Sequence, residues 1–530
     1  MTHIPRPEGW PGGKRAAAAG VLAWVLAALP APASAQDQEA EANAADVDAA
    51  EADAAEADAA EAEPVAATAD TAAAETPTDD APPDETDAEP APPAWVGLPG
   101  TELPPFDGPP SEVKRDLPRY DGRPPEGPSV GDALLWVPRT LLFPIHLLFE
   151  YLLRRPLEEA LTKAEQQQFV LFLYDLFTFG PKQNAGLVPT FFFNFDFRTS
   201  VGLFFFHNDA FIEGNDLRVF GGFGGIDWYR VTVADRYVPN DSLETELKLE
   251  YVERPDYIFS GIGFDVDRTD RARYRQRLLS AEARLRVKSW RSSYVEWGVA
   301  VQDREFGNAS FRGDPSVQSR IQQGVFDGPP PAFENGYTAY TQRLTLDADS
   351  RRPRPSPQSG FRAMARGEHG VDLSRGTERS WVRLDGTVGA YADLGRFRTI
   401  GLNVYGGFVE PLGSDRVPFT ELVELGGDPL IFGGFLPGIL RGRTAAVTTL
   451  EYRYPIWVLL DGSFHFSVGN VFGANFDDFG FDRLRMSMGL GFRSGDPDAS
   501  FTLTVAVGTE PFVEGSGIDS VRVVFGTSPL

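Results

Sequence analysis

The stretch Glu424–Pro455, ELGGDPLIFGGFLPGILRGRTAAVTTLEYRYP, is a glycine-rich run that empties into an alternating strand. In its last residues Leu450, Tyr452 and Tyr454 share one face and Thr449, Glu451 and Arg453 the other, because successive strand side chains point to opposite sides. The glycine-rich part admits two readings. It is either a solvent loop or a segment folded back into a barrel lumen, where glycine lets backbone approach backbone closely. The flanking sequence decides between them.

From Leu187 onward the chain keeps a period of two. Leu247, Leu249 and Tyr251 alternate with Glu246, Lys248 and Glu250; Leu279, Ala281, Ala283, Leu285 and Val287 alternate with Ser280, Glu282, Arg284 and Arg286. Leu484, Met486, Met488, Leu490 and Phe492 stand against Arg485, Ser487, Gly489 and Gly491. A soluble sandwich also alternates. Here, though, strands of roughly ten residues recur with charges and glycines on the second face, the pattern of a greasy exterior around a wet lumen. Aromatic clusters at Phe191-Phe192-Phe193, Phe204-Phe205-Phe206 and Trp228-Tyr229 suit membrane-interface girdles. The expected fold is therefore all-β, a sixteen-stranded transmembrane antiparallel β-barrel over residues 187–530 with the glycine-rich loop turned inward. The expected strands begin near Leu187, Thr199, Asn215, Ile226, Leu243, Tyr274, Ser292, Tyr337, Phe361, Arg379, Phe397, Ala445, Ser463, Arg483, Ser500 and Asp519. The interval Arg254–Arg273 fits this pattern least well.

The N-terminal third has other rules. Lys14 and Arg15, the apolar run Ala16–Leu29 and the Ala33-Ser34-Ala35 site predict a secretory signal peptide over residues 1–35. Residues 36–128 are acidic and then Pro-rich, a composition that predicts disorder. This tract explains most of the formal net charge of −27, since 36–92 holds 19 Asp and Glu and no Lys or Arg. Residues 129–180 read as helical, with Phe169, Leu173 and Phe177 at helical spacing. Pro138, Arg139 and Pro144 interrupt the first helix, so it is too broken to span a bilayer. Two placements fit it: an interfacial helix with basic residues at its end, or a helix packed under or inside the barrel.

Several motifs in the barrel region resemble the BamA/TamA superfamily, the bacterial surface antigen domain. They are Leu425-Gly426-Gly427, Phe432-Gly433-Gly434-Phe435, Glu451-Tyr452-Arg453-Tyr454-Pro455-Ile456, Asp349-Ser350-Arg351, Gly469-Asn470-Val471-Phe472 and Gly489-Leu490-Gly491-Phe492. The resemblance implies a lumen loop carrying Arg-Gly-Phe or Arg-Gly-Tyr. Here Gly434-Phe435 matches its end, and Gly433 stands where the arginine is expected. Ser467 stands where the family has an aspartate, so both members of one ion pair are absent together. That fits the cost of a lone buried charge. An alternative alignment makes Leu440-Arg441-Gly442-Arg443 the loop motif. On either alignment Glu451, turned to the lumen beside Arg453, is expected to find its cation in Arg441 or Arg443. Family members that insert or secrete proteins carry βααββ POTRA units ahead of the barrel, and no such pattern stands between Gln36 and Gly180.

The resemblance implies outer-membrane protein assembly, translocation or membrane perturbation without covalent chemistry. A passive pore for small solutes is the alternative reading, and a lipase a more remote one. No enzyme activity is expected: no Gly-x-Ser-x-Gly element accompanies His207, His369 or His465. The chain has no cysteine, and its five histidines lack metal-ligand spacing, so no metal or cofactor is expected. The expected partners are outer-membrane lipid and other outer-membrane or periplasmic proteins, not nucleic acid. The expected location is the bacterial outer membrane, with the N-terminal segment in the periplasm.

Overall fold

In the computed structural model, residues 136–527 are described apart from 148–149, 152–153, 157–162, 164–171, 173–174, 181, 352–358, 396–397, 427–428, 458–459 and 495–500. The signal peptide and the acidic and Pro-rich segment expected upstream lie outside the described residues.

Sixteen strands form one antiparallel ring. The first eight are β1 (Ala185–Asn194), β2 (Ser200–Asn208), β3 (Asn215–Gly225), β4 (Trp228–Asn240), β5 (Leu243–Phe259), β6 (Ala272–Lys288), β7 (Tyr294–Ala309) and β8 (Tyr337–Asp349). Then come β9 (Gly360–Asp372), β10 (Gly376–Asp393), β11 (Thr399–Pro411) and β12 (Thr444–Trp457). The last are β13 (Leu460–Phe472), β14 (Arg485–Ser494), β15 (Phe501–Thr509) and β16 (Ile518–Thr527). Each strand pairs with its sequence neighbours, and β16 returns to β1. Closing the ring pairs the first and last strands with each other, as a membrane-spanning sheet requires.

The alternation sorts side chains as expected. Leu247, Leu249, Leu279, Leu285, Val295, Leu344, Leu384, Val388, Leu402 and Val404 stand exposed on the outer wall. Facing the lumen, Arg284 pairs with Glu246 at 2.5 Å, Arg286 with Glu296 at 2.7 Å and Arg343 with Glu368 at 2.9 Å. Phe223, Tyr229 and Tyr340 ring one end of the outer wall, and Trp290, Trp297 and Phe361 the other. Two expected girdle clusters divide: Phe204 and Phe206 turn inward and pack with Val188 and Phe220, and Trp228 is buried while Tyr229 is exposed. Strand alternation overrules their polarity.

One end of the barrel carries the chain's entry and exit, with short connections. The other carries the long ones, 260–271, 310–336, 412–443 and 473–484. The interval that fitted the sequence pattern least well, Arg254–Arg273, is partly strand: β5 continues, past an irregularity between Arg254 and Tyr257, to Phe259. There Asp256 is fully buried and accepts the Arg198 amide at 2.6 Å, so a charge sits where alternation alone suggests a break. At this long-loop end Arg273 of β6 reaches Asp196 at 3.0 Å and Asp314 at 2.8 Å, tying two connections to the strand.

Ahead of the barrel, α1 (Trp136–Leu141) and α2 (Phe143–Leu147) lie against its outer wall at the chain-entry end. Leu142 is buried there with Leu394, Tyr452, Tyr454, Ile456 and Leu460. The rival placement, under or inside the barrel, does not occur for this pair of helices.

Candidate functional site

The connection between β11 and β12 folds into the lumen. Its arms form a small hairpin, Val423↔Gly442, Glu424↔Arg441 and Leu425↔Leu440. Phe432, Phe435, Leu436, Ile439 and Leu440 between and beside the arms are buried against Ile258, Tyr337, Trp381, Tyr405 and Val447 of the inner wall. Burial of this apolar set, at about 25 cal/mol per Å², drives the loop inward. Two glycines are needed where it touches the wall. A Cβ at Gly434 would lie 2.1 Å from the Val507 carbonyl oxygen, and one at Gly438 would lie 2.2 Å from that of Ile258, with φ already at +93°.

The tip is held by hydroxyls and one arginine. The Gly434 amide donates to Ser487 Oγ at 2.7 Å. Thr449 Oγ1 donates to the Ile431 carbonyl at 3.2 Å and lies 2.9 Å from Ser467 Oγ. A hydroxyl has one proton, so Ser467 is the donor to Thr449. Arg522 of β16 donates to the carbonyls of Gly426 and Phe435. Ser467 therefore does serve the loop, through Thr449. Gly433 is buried beside it, and the ion pair implied by the resemblance is replaced by a chain of neutral hydrogen bonds. The Phe435 ring stacks on Phe432 at 4.9 Å and covers Gly508, where a Cβ would approach it to 2.6 Å.

The expected contact of Glu451 with Arg441 or Arg443 is not formed. Arg453 Nε and Nη2 donate to the two Glu451 oxygens at 2.7 and 2.9 Å, two residues along the same inner face. Arg441 instead donates to Glu424 at 2.6 Å across the hairpin and to the Phe419 carbonyl at 3.3 Å. Arg443 pairs with Glu410 at the end of β11. The reason is proximity: i,i+2 neighbours on one strand share a face, and the hairpin register puts Glu424 opposite Arg441. Gly442, between the two arginines, crosses the Phe472 backbone, where a Cβ would come within 2.6 Å. Sequence reasoning missed Glu424, Thr449, Ser487 and Arg522. Thr449, Ser487 and Arg522 are polar strand residues and Glu424 is a charge within the loop itself, but nothing in one sequence marked which of them meet.

The site's second part is the junction of β16 with β1. Among the described residues its ladder consists of three pairs, Val524↔Asn194, Phe525↔Phe193 and Gly526↔Phe192. Beyond them, the Phe195 amide donates to the Val523 carbonyl at 2.7 Å. Lower down, the two-residue strand Thr178–Phe179 pairs with Gly186 and Ala185 on the same edge of β1. Between these, Leu187–Phe191 has no strand on that edge among the described residues, and Pro189 within it has no N–H to offer a ladder. Behind the junction, β16 is tied to β14 by a buried pair, Arg485 Nη1 to Asp519 at 2.9 Å.

Solved structures of other outer-membrane proteins are similar, among them the following three. BamA from Haemophilus ducreyi lacking POTRA domains 1–3 shares 13% identity, with a TM-score of 0.46, over 65% of this chain and 70% of that one. CdiB from Acinetobacter baumannii shares 12%, with a TM-score of 0.38, over 65% and 59%. CdiB from Escherichia coli shares 11%, with a TM-score of 0.41, over 65% and 63%. No curated protein matches the sequence. The profile described as the Omp85 superfamily domain matches residues 213–528, more than half of the chain. Among the described residues no POTRA unit precedes the barrel. The chain belongs to the Omp85 superfamily and is an outer-membrane β-barrel of the BamA/TamA type.

Proposed function

We propose that this barrel works by parting β1 from β16, admitting a substrate strand or perturbing the adjacent lipid, with no covalent chemistry. The three-pair junction carries this reading. Every other pair of neighbouring barrel strands is joined over a longer register, as from Trp381↔Pro411 to Asp393↔Thr399 between β10 and β11. A ladder this short offers few backbone hydrogen bonds to break, each contributing about 0.5–1.5 kcal/mol net. The inturned hairpin then acts as an internal splint, fastening the last strands while the junction opens. Its place in the lumen favours this reading over a passive pore. On the same reading the long-loop end faces outward, and the chain-entry end, with the N-terminal segment, faces the periplasm. Outer-membrane and periplasmic proteins are the partners it would serve.

A disulfide across the junction tests the reading. The chain has no cysteine, so Phe193→Cys with Phe525→Cys gives a single defined pair. In cells that depend on the protein, the oxidised double variant should lose function and regain it on reduction, while each single variant stays active. Full function in the oxidised, cross-linked form contradicts the proposal.

A further inference from the structure

The pair of helices ahead of the barrel is apolar on both sides. Toward the wall it places Leu142, Ile145 and His146, whose ring lies 5.4 Å from that of Tyr454. Arg139, the charge within α1, is also turned this way and donates to the Leu394 carbonyl at 2.8 Å. Away from the wall stand Trp136, Val137, Leu141, Phe143 and Leu147, all exposed, with Thr140 the one polar residue among them bonded back to the Trp136 carbonyl at 2.8 Å. Leu141 is 73% exposed. A helix apolar all round is stable only where its second face also escapes water.

The charges nearby sit past the end of α2. Glu150 accepts from Arg154 at 3.0 Å and from the Tyr454 hydroxyl, and Arg155 lies 4.1 Å over the Tyr151 ring. Basic residues at the end of an apolar segment are placed to reach headgroups while the segment stays among acyl chains. The wall beneath is the lipid-facing surface of the barrel, with Trp290 and Phe361 exposed at this same end. The apolar cluster under Leu142 also runs on along that wall through Phe464, Phe492 and Leu503 to Phe525 of β16.

We propose that Trp136–Leu147 is an in-plane membrane anchor, clamped to the outer wall and buried on its free side in the acyl chains of the leaflet at the chain-entry end. Its partner is a phospholipid surface. The anchor fixes where the preceding chain leaves the membrane, and it shields the outer face of β12 and β13. The proposal rests on the barrel spanning a membrane in the orientation given above.

Spin labels on single cysteines introduced into the cysteine-free chain test it. The full-length protein is reconstituted in phosphatidylethanolamine–phosphatidylglycerol vesicles, and folding of each variant is verified by heat-modifiable migration. Leu141→Cys and Phe143→Cys carry the label on the free side, Val388→Cys on the outer wall and Gln323→Cys on the long-loop end. The proposal expects the Leu141 and Phe143 labels to collide with oxygen rather than with a water-soluble nickel chelate, at a depth of roughly 5–10 Å below the headgroup boundary. Nickel collisions at Leu141 and Phe143 as frequent as at Gln323, with Val388 protected, overturn the anchor and leave the barrel's placement standing. Nickel access at Val388 itself overturns the placement, and the anchor with it.

Discussion

Two sides of the barrel are built differently. On one, β5, β6, β7 and β10 run for 17, 17, 16 and 18 residues. Their inner faces are laced by arginine–carboxylate pairs such as Arg284–Glu246 and Arg286–Glu296. On the other, β14, β15, β16, β1 and β2 have 9 or 10 residues, and the junction is a three-pair ladder. The long side is held by its own hydrogen bonds. The short side is held from within, by the hairpin's contacts to Ser487, Gly508 and Arg522 and by the Arg485–Asp519 pair. The lesson is a division of labour: the long wall relies on its own ladders, and the short wall on support from within.

Four substitutions test this contrast, each read as the temperature at which the folded band converts on unboiled gels. The largest effect is expected for Asp519→Ala, which strands the almost fully buried Arg485 and should cost about 3–5 kcal/mol. Retention of the wild-type conversion temperature would show that the short side does not depend on that pair. Gly434→Val comes next, at about 1–3 kcal/mol, because its side chain must displace the Val507 backbone. It should also loosen β15 and β16 while leaving β5–β7 protected from hydrogen exchange; loss of protection on both sides equally would dissolve the distinction. Thr449→Val, which removes the hydroxyl between Ser467 and the Ile431 carbonyl, should cost about 1 kcal/mol. The smallest change is expected on the long side. Arg284→Ala removes a partly exposed lumen pair and should stay within about 1 kcal/mol of wild type. A large drop there would mean that the long wall leans on its charges rather than on its ladders.

The ring of strands could be read from sequence because alternation is a local property. Each expected start, from Leu187 to Asp519, lies within a few residues of an observed one, and the acidic and basic faces of β5 and β6 fall on the lumen side as expected. The inward hairpin was legible from its glycines and its place between strands. The pairing inside it was not. Arg441 choosing Glu424 depends on the hairpin's register, which no spacing encodes, and with Arg441 held there Glu451 keeps its i,i+2 neighbour Arg453. Pro189 was likewise in plain view as a proline within a strand. Only the strand pairing placed it in the stretch of β1 that has no strand on its β16 side among the described residues.

Hydrogen–deuterium exchange on the reconstituted barrel measures the contrast most directly. The amides of Leu187, Val188, Thr190–Phe193 and Val524–Gly526 should exchange well before those of Leu247–Tyr251 and Leu279–Leu285. Equal protection at the junction and in the long wall would contradict it.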